Sequence, residues 1–210
     1  MHAKPVSKLR RGRPIDTDAR SERRRQIVEA AKRCFLRKGF HVASTAEISA
    51  EAGISVAGLY QYFPSKRELV HALVQQDLAD DLILIGALRE AQDVFSGMLE
   101  ALLEFARDAS AQESSRLRLE VFAQGLRDPE VAELIVQSEQ MLVQAVAQLI
   151  GGMQRSGEID PALDAEQVAA SLIAFFEGLY LHISLPSPNP EAFARSAIDL
   201  LRRSLLPSRP

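Results

Sequence analysis

The sequence predicts an all-α protein of about nine helices, with a three-helix N-terminal domain carrying a helix-turn-helix and a larger helical body. Three observations predict it. Apolar residues recur at spacings of three and four almost without interruption from about residue 21 onward. No stretch alternates apolar and polar residues convincingly with the period of two that marks a strand. The periodic segments are punctuated by Ser, Thr, Asp, Gly and Pro at positions suited to starting and stopping helices.

Residues 1–20 form a basic arm without periodicity, a composition expected to be disordered in the free protein. A first helix over about 21–38 gathers Ile27, Ala30, Ala31, Cys34 and Phe35 on one face. The most informative stretch follows, from Ser44 to Leu69. Thr45 is placed to cap a short helix with Ala46, Ile48 and Ala52 on its apolar side, and Gly53 supplies the turn that ends it. Ile54 anchors the turn, and Ser55 caps a second helix through Tyr62 that packs inward with Leu59 and Phe63. Val56, Ala57, Gly58, Tyr60, Gln61 and Tyr62 are left on or near the open side. An ordinary helical hairpin gives a similar pattern. The shortness of the second helix, its polar outer side and the cationic segment upstream favour a helix-turn-helix that presents this helix to the DNA major groove.

Ser65 then caps a longer helix through Leu69, Leu73 and Leu78 that links head to body. Helices follow over about 93–109 and 113–125. Asp128 and Pro129 start another, with Asp as N-cap and Pro in the first turn, and Gly157 stops it. Asp164 opens a helix that is apolar nearly all round, through Val168, Leu172, Phe176, Leu179 and Ile183, until Pro186, Pro188 and Pro190 break it. A last helix runs over about 191–205. The implied division is an arm at 1–20, a helix-turn-helix domain at 21–68 and a body at 69–210.

The net charge of −3 conceals a strong asymmetry: residues 1–40 carry +9 and the remaining 170 carry −12, with no lysine after Lys66. A polyanion would bind the basic head. The single Cys34 excludes an internal disulfide and a cysteine-rich metal site, and its apolar neighbours suit a packing role. Four scattered histidines show no zinc pattern, so neither metal nor cofactor is expected. No apolar run approaches the roughly 18 residues that span a membrane, and the basic N-terminus precedes no apolar stretch, so no membrane partner and a cytoplasmic location are expected.

Residues 24–70 resemble the DNA-binding domain of the TetR/AcrR family of bacterial transcriptional regulators. The resemblance rests on Ile27, Ala30, Ala31, Phe35, Gly39 and Phe40, followed by Thr45, Ile48, Ala52, Gly53, Ser55, Leu59, Tyr60, Tyr62, Phe63, Ser65, Lys66 and Leu69 in the family's spacing. Further on, 126–129 (L-R-D-P) and 157–164 (G-E-I-D-P-A-L-D) resemble joints of such regulators. One departure is Ala57, where the family usually has Gly, with Gly58 one place later.

The resemblance implies phosphate contacts from Thr45, Tyr60, Tyr62 and Lys66, assisted by the helix start at Ser55, and base-facing positions at Ala46, Val56, Ala57, Gly58 and Gln61. Only Gln61 in the second set offers a bidentate group, suited to adenine. Upstream, Arg11-Gly12-Arg13-Pro14 is the core of the AT-hook motif, two arginines around a glycine slim enough for a narrow A·T-rich minor groove.

For the body, the family implies an inducer pocket. Candidate lining residues are Phe95, Met98, Leu102, Phe122 and Phe175, with Glu120, Gln124, Glu177 and His182 as polar groups on apolar helices. The body's acidity favours a lipophilic inducer that is neutral or cationic, unless Arg116 or Arg118 points inward. The last two helices either are simply core or, as in the resembled family and as preferred here, pair with their copies in a homodimer through Leu172, Phe176, Leu179, Ile183, Phe193, Ala197 and Leu201. The expected function is a ligand-responsive repressor that binds a palindromic operator in double-stranded DNA and is released by its inducer. The alternative is an A·T-preferring architectural protein without an inducer. An enzyme built on Glu120, Glu177 and His182 lacks any nucleophile, phosphate loop or metal constellation, so no catalytic residue is assigned.

Overall fold

The computed structural model describes residues 17–40, 42–186 and 189–207. These form nine helices and no strand: α1 (Thr17–Lys38), α2 (Thr45–Glu51), α3 (Val56–Tyr62), α4 (Lys66–Glu90), α5 (Val94–Arg107), α6 (Ala109–Gly125), α7 (Pro129–Ser156), α8 (Ala165–Ser184) and α9 (Pro190–Leu205). Arg11 and Arg13 lie outside the described residues.

Local chemistry explains most boundaries. Ser44, not Thr45, caps α2: its hydroxyl accepts from the Glu47 amide while the Glu47 carboxylate accepts from the Ser44 amide. This reciprocal arrangement satisfies two amide donors at once, where a Thr45 cap would leave Ser44 idle. Asp108 accepts from the amides of Ser110 and Ala111, so α6 begins four residues before the predicted 113. Asp128, Asp164 and Asn189 cap α7, α8 and α9 in the same way. Gly53 and Gly157 take left-handed φ of 66° and 82° at the ends of α2 and α7.

The apolar residues gather in three clusters. The head core joins Ile27, Val28, Phe35, Ile48, Leu59 and Phe63 with Leu69, Ala72 and Leu73 of α4 and, from farther along the chain, Leu117 of α6. The predicted boundary at 68 therefore falls inside α4, whose first turns complete the head. A small cluster of Val70, Val121, Val131 and Ile135 seals the junction of α4, α6 and α7. The largest cluster fills the body between α4, α5, α7, α8 and α9.

The outer helices decide how the body can associate. Leu172, Leu179 and Ile183 of α8 and Ala197 and Leu201 of α9 are buried in the chain's own core, and Phe176 is partly buried against it. The predicted pairing face is thus an inward one. The cause is that α8 packs on α6, α7 and α9 and takes its bulkiest residues inward. What remains outside is a different stripe: Ala174, Leu181 (39% exposed) and Leu185 on α8, with Phe193 (41%) and Leu200 (62%) on α9. Phe193 alone of the predicted set belongs to it. By length and composition α8 could cross a membrane, contrary to the sequence expectation, with a mean hydropathy of 1.2. Its inward half is instead packed on its neighbours in the body.

Candidate nucleic-acid interface and ligand cavity

The head presents one face built from α2 and α3. Ala46 at the start of α2 and Val56, Ala57, Tyr60 and Gln61 of α3 are exposed, while Leu59 and Phe63 hold the helix to its core. Ser55 is exposed, and its hydroxyl accepts from the Gly58 amide at 3.0 Å. Gly58 is half-buried, and a Cβ there would lie 3.2 Å from the Ser55 hydroxyl. A glycine at 58 therefore keeps the cap undistorted, while Ala57 points into open solvent. The Thr45 and Tyr60 hydroxyls lie 3.4 Å apart and link the start of α2 to the second half of α3.

Three cations shape this face in ways the sequence did not signal. Arg24 donates to the Tyr62 carbonyl at 3.0 Å with its guanidinium 4.2 Å above the Phe63 ring, and Arg20 lies 5.3 Å above the Tyr62 ring. The N-terminal half of α1 is thereby strapped to the end of α3, with Tyr62 half-buried beneath it. Lys66 is turned inward: its ammonium donates to the Phe40 carbonyl and sits 4.5 Å from the Phe40 ring centre. Burial pushes its pKa below the ordinary lysine value. Its charge braces the turn after α1.

The head's positive charge is also divided. Arg33 and Arg37 pair with Glu51 at 2.7 and 2.6 Å, and Lys38 pairs with Glu47. These contacts hold Glu51 below its usual range and Glu47 at about 2. The three cations at the C-terminal end of α1 are thus largely compensated by two carboxylates, and much of the remaining excess lies on Arg20, Arg23, Arg24 and the arm preceding α1.

The body contains an apolar chamber of about 100 Å³ among α4, α5, α7 and α8. Met98 and Glu177 of the candidate lining residues stand in its wall, and so do Leu172 and Phe176, which were expected at the dimer face. Ile85, Leu142 and Val146 complete much of its wall. The sequence did not mark Asp81 and Tyr180, which stand with Arg118 at its mouth and also line an outer cleft of about 610 Å³ between α4, α5 and α6. Phe122 belongs to that outer cleft. Arg118 does point inward, and Asp81 accepts from both its terminal nitrogens at 3.3 and 2.5 Å.

Other predicted lining residues lie elsewhere. Phe95 and Leu102 are core of the body, and Phe175 faces a groove beside Leu200 and Leu201. Gln124 lines neither cavity and keeps a buried side-chain oxygen without a partner among the described residues. Glu120 is exposed and accepts from the Phe40 amide at 3.2 Å, so it joins α6 to the head. His182 is exposed, its ring 5.5 Å from Phe193 on the outer stripe. Arg116 donates to the Ser184 carbonyl at 2.7 Å, outside the chamber. Among the described residues no group of His, Cys, Asp and Glu is placed to hold a metal.

Comparison with known proteins bears on both regions. Residues 27–73 match the family described as bacterial regulatory proteins of the tetR family, and residues 91–206 match the C-terminal domain of BetI-type transcriptional repressors. The HTH-type transcriptional regulator UidR of Escherichia coli (strain K12) is 30% identical over 169 residues, covering 80% of this chain and 85% of UidR. The structure of Salmonella enterica GusR superposes with a TM-score of 0.74 at 27% identity, over 87% of this chain and 93% of that one. A regulator from Saccharomonospora viridis, solved in complex with choline, shares the fold with a TM-score of 0.73 at 21% identity, over 90% and 100% of the two chains.

Proposed function

This chain belongs to the TetR family of bacterial regulators and is a DNA-binding transcriptional regulator rather than an enzyme, and from that premise we propose that it is a ligand-responsive repressor acting as a homodimer. It binds a palindromic operator and leaves it when a small lipophilic molecule, neutral or cationic, enters the body. Thr45, Tyr60 and Tyr62 contact phosphates with the help of the amides at the Ser55 helix start. Ala46, Val56, Ala57 and Gly58 meet thymine methyls or allow close backbone approach, and Gln61 reads adenine. Lys66 adds positive potential from below. Arg11 and Arg13 reach the adjacent minor groove, where A·T-rich shape supplies specificity that α3 lacks.

The observation that carries ligand control is the placement of two consecutive residues of α6. Leu117 is buried in the head core, while Arg118 stands at the mouth of the body's chamber. Glu120, three residues on from Leu117, grips the Phe40 amide. A ligand that moves Arg118 must move a helix keyed into the DNA-binding domain, which is the physical content of coupling between two sites.

Dimerisation is supported by the outer stripe of Leu181, Leu185, Phe193 and Leu200, apolar and uncovered within the chain. Pairing it with its copy by a two-fold axis sets two reading helices one DNA turn apart, roughly 34–36 Å. The test is selection of genomic fragments by the purified protein at physiological salt. A single palindromic A·T-containing site is the expected product. Diffuse enrichment of A·T-rich DNA without a palindrome would favour an architectural role.

A further inference from the structure

We propose that the ligand is an organic cation, a singly charged ammonium or guanidinium on an apolar body, whose charged group takes the place of Arg118 against Asp81 and Glu177. The proposal rests on the ligand-responsive reading above and specifies the chemistry of that same chamber.

Shape comes first. The chamber of about 100 Å³ is smaller than the ~300–1,000 Å³ of ordinary small-molecule sites. It shares Asp81, Leu84, Ala101, Arg118, Glu177 and Tyr180 with the outer cleft of about 610 Å³. The Arg118–Asp81 pair therefore stands between the two spaces, and swinging Arg118 aside joins them. Beyond it the wall is hydrocarbon, from Ile85, Met98, Leu142, Val146 and Phe176, which suits an apolar tail.

Charge sets the sign of the head group. Asp77 and Asp81 of α4 and Glu177 of α8 surround the Arg118 guanidinium, with Glu139 of α7 beside them in an adjoining small cavity. The outer cleft adds Asp80, Glu104 and Asp108 against Lys32. Asp81 is satisfied by Arg118, whereas Asp77 and Glu177 have no hydrogen-bond donor among the described residues. Burial pushes both carboxyls up, Asp77 to about 6, so each stands short of positive charge. Replacing one cation by another leaves the balance unchanged, while an anion would meet at least two uncompensated carboxylates. Three rings complete the seat: Tyr180 meets Phe105 edge-on at 4.6 Å and lies tilted 6.3 Å from Phe176, an aromatic surface that suits a weakly hydrated cation. The displaced Arg118 is the neighbour of Leu117, so the exchange is transmitted to the head by the helix itself.

The experiment uses the full chain and three probes of one length: octyltrimethylammonium, octanol and octanoate, each below micelle formation, followed by calorimetric titration at fixed ionic strength. The ammonium should bind, octanoate should not, and Glu177→Gln and Asp77→Asn should each weaken the ammonium at least tenfold with unchanged helicity. Arg118→Ala removes the competing cation and should preserve or strengthen ammonium binding, whereas Asp81→Asn should weaken it. Binding of octanoate that Arg118→Ala abolishes would show Arg118 to be an anion anchor, and would overturn the proposal while leaving a ligand-responsive chamber. Octanol binding as tightly as the ammonium, or indifference of the ammonium to both carboxylate changes, would do the same. Failure of all three probes would remove the chamber reading along with the proposal.

Discussion

Leu200→Glu should separate the two protomers while leaving each one folded. Leu200 is 62% exposed on α9 and sits in the outer stripe with Phe193, Leu181 and Leu185. Fully burying a leucine side chain is worth about 1.5–3 kcal/mol, so covering this exposed fraction contributes about 1–2 kcal/mol per protomer. A two-fold interface counts each change twice, giving about 2–4 kcal/mol. At roughly 1.4 kcal/mol per decade, the dimer dissociation constant should rise by about 30-fold to several hundred-fold, before any cost of burying two carboxylates. Sedimentation across a dilution series measures this, with far-UV circular dichroism as the control for folding. The companion change is Leu201→Ala, one residue along but only 8% exposed. It should cost about 2–5 kcal/mol of stability through a core cavity and leave the association face intact. If Leu200→Glu remained dimeric at nanomolar concentration while Leu201→Ala gave a folded monomer, the assignment of faces would be refuted.

Gly53→Ala should lower stability by about 1–2 kcal/mol, because φ of 66° at the helix-turn-helix corner is strained for any residue with a Cβ; an unchanged urea midpoint would contradict this. Asp77 is raised from 3.8 to about 6 in the folded chain, so its contribution is full below about pH 4 and lost as pH rises through about 6. Asp77→Asn should therefore be the more stable protein at pH 7–8, by up to about 3 kcal/mol, with the advantage vanishing by pH 4 in parallel denaturation curves. Removing residues 1–14 should weaken operator binding strongly and relax its A·T preference, measured by anisotropy at fixed salt; equal affinity and preference would dismiss the minor-groove role of Arg11 and Arg13.

Much of the fold was legible because its signals are local. The caps at Ser55, Ser65, Asp128 and Asp164, the glycines at 53 and 157, and the inward pair Leu59 and Phe63 each act within one or two helical turns. The open side of α3 was legible for the same reason, since burying Leu59 and Phe63 leaves Ala57, Tyr60 and Gln61 facing out. Errors of detail arose where two local signals competed. Ser44 and Thr45 are both capping types, and the capping box with Glu47 settled the choice.

By itself, the sequence determined an all-α chain, the position of its helix-turn-helix and the asymmetry of a basic head on an acidic body, because spacing, caps and charge are properties of neighbouring residues. Only the tertiary structure decided which side of α8 and α9 is core. A helix apolar nearly all round has no preferred direction until its neighbours are in place, and packing on α6 and α7 took Leu172, Leu179 and Ile183 inward. The same holds for the groups that define the chamber. Asp81 and Arg118 are 37 residues apart and Lys66 and Phe40 are 26 apart, and no periodicity along the chain connects either pair. Their chemistry follows from which helices meet, and that was settled by burying apolar surface rather than by the charges themselves.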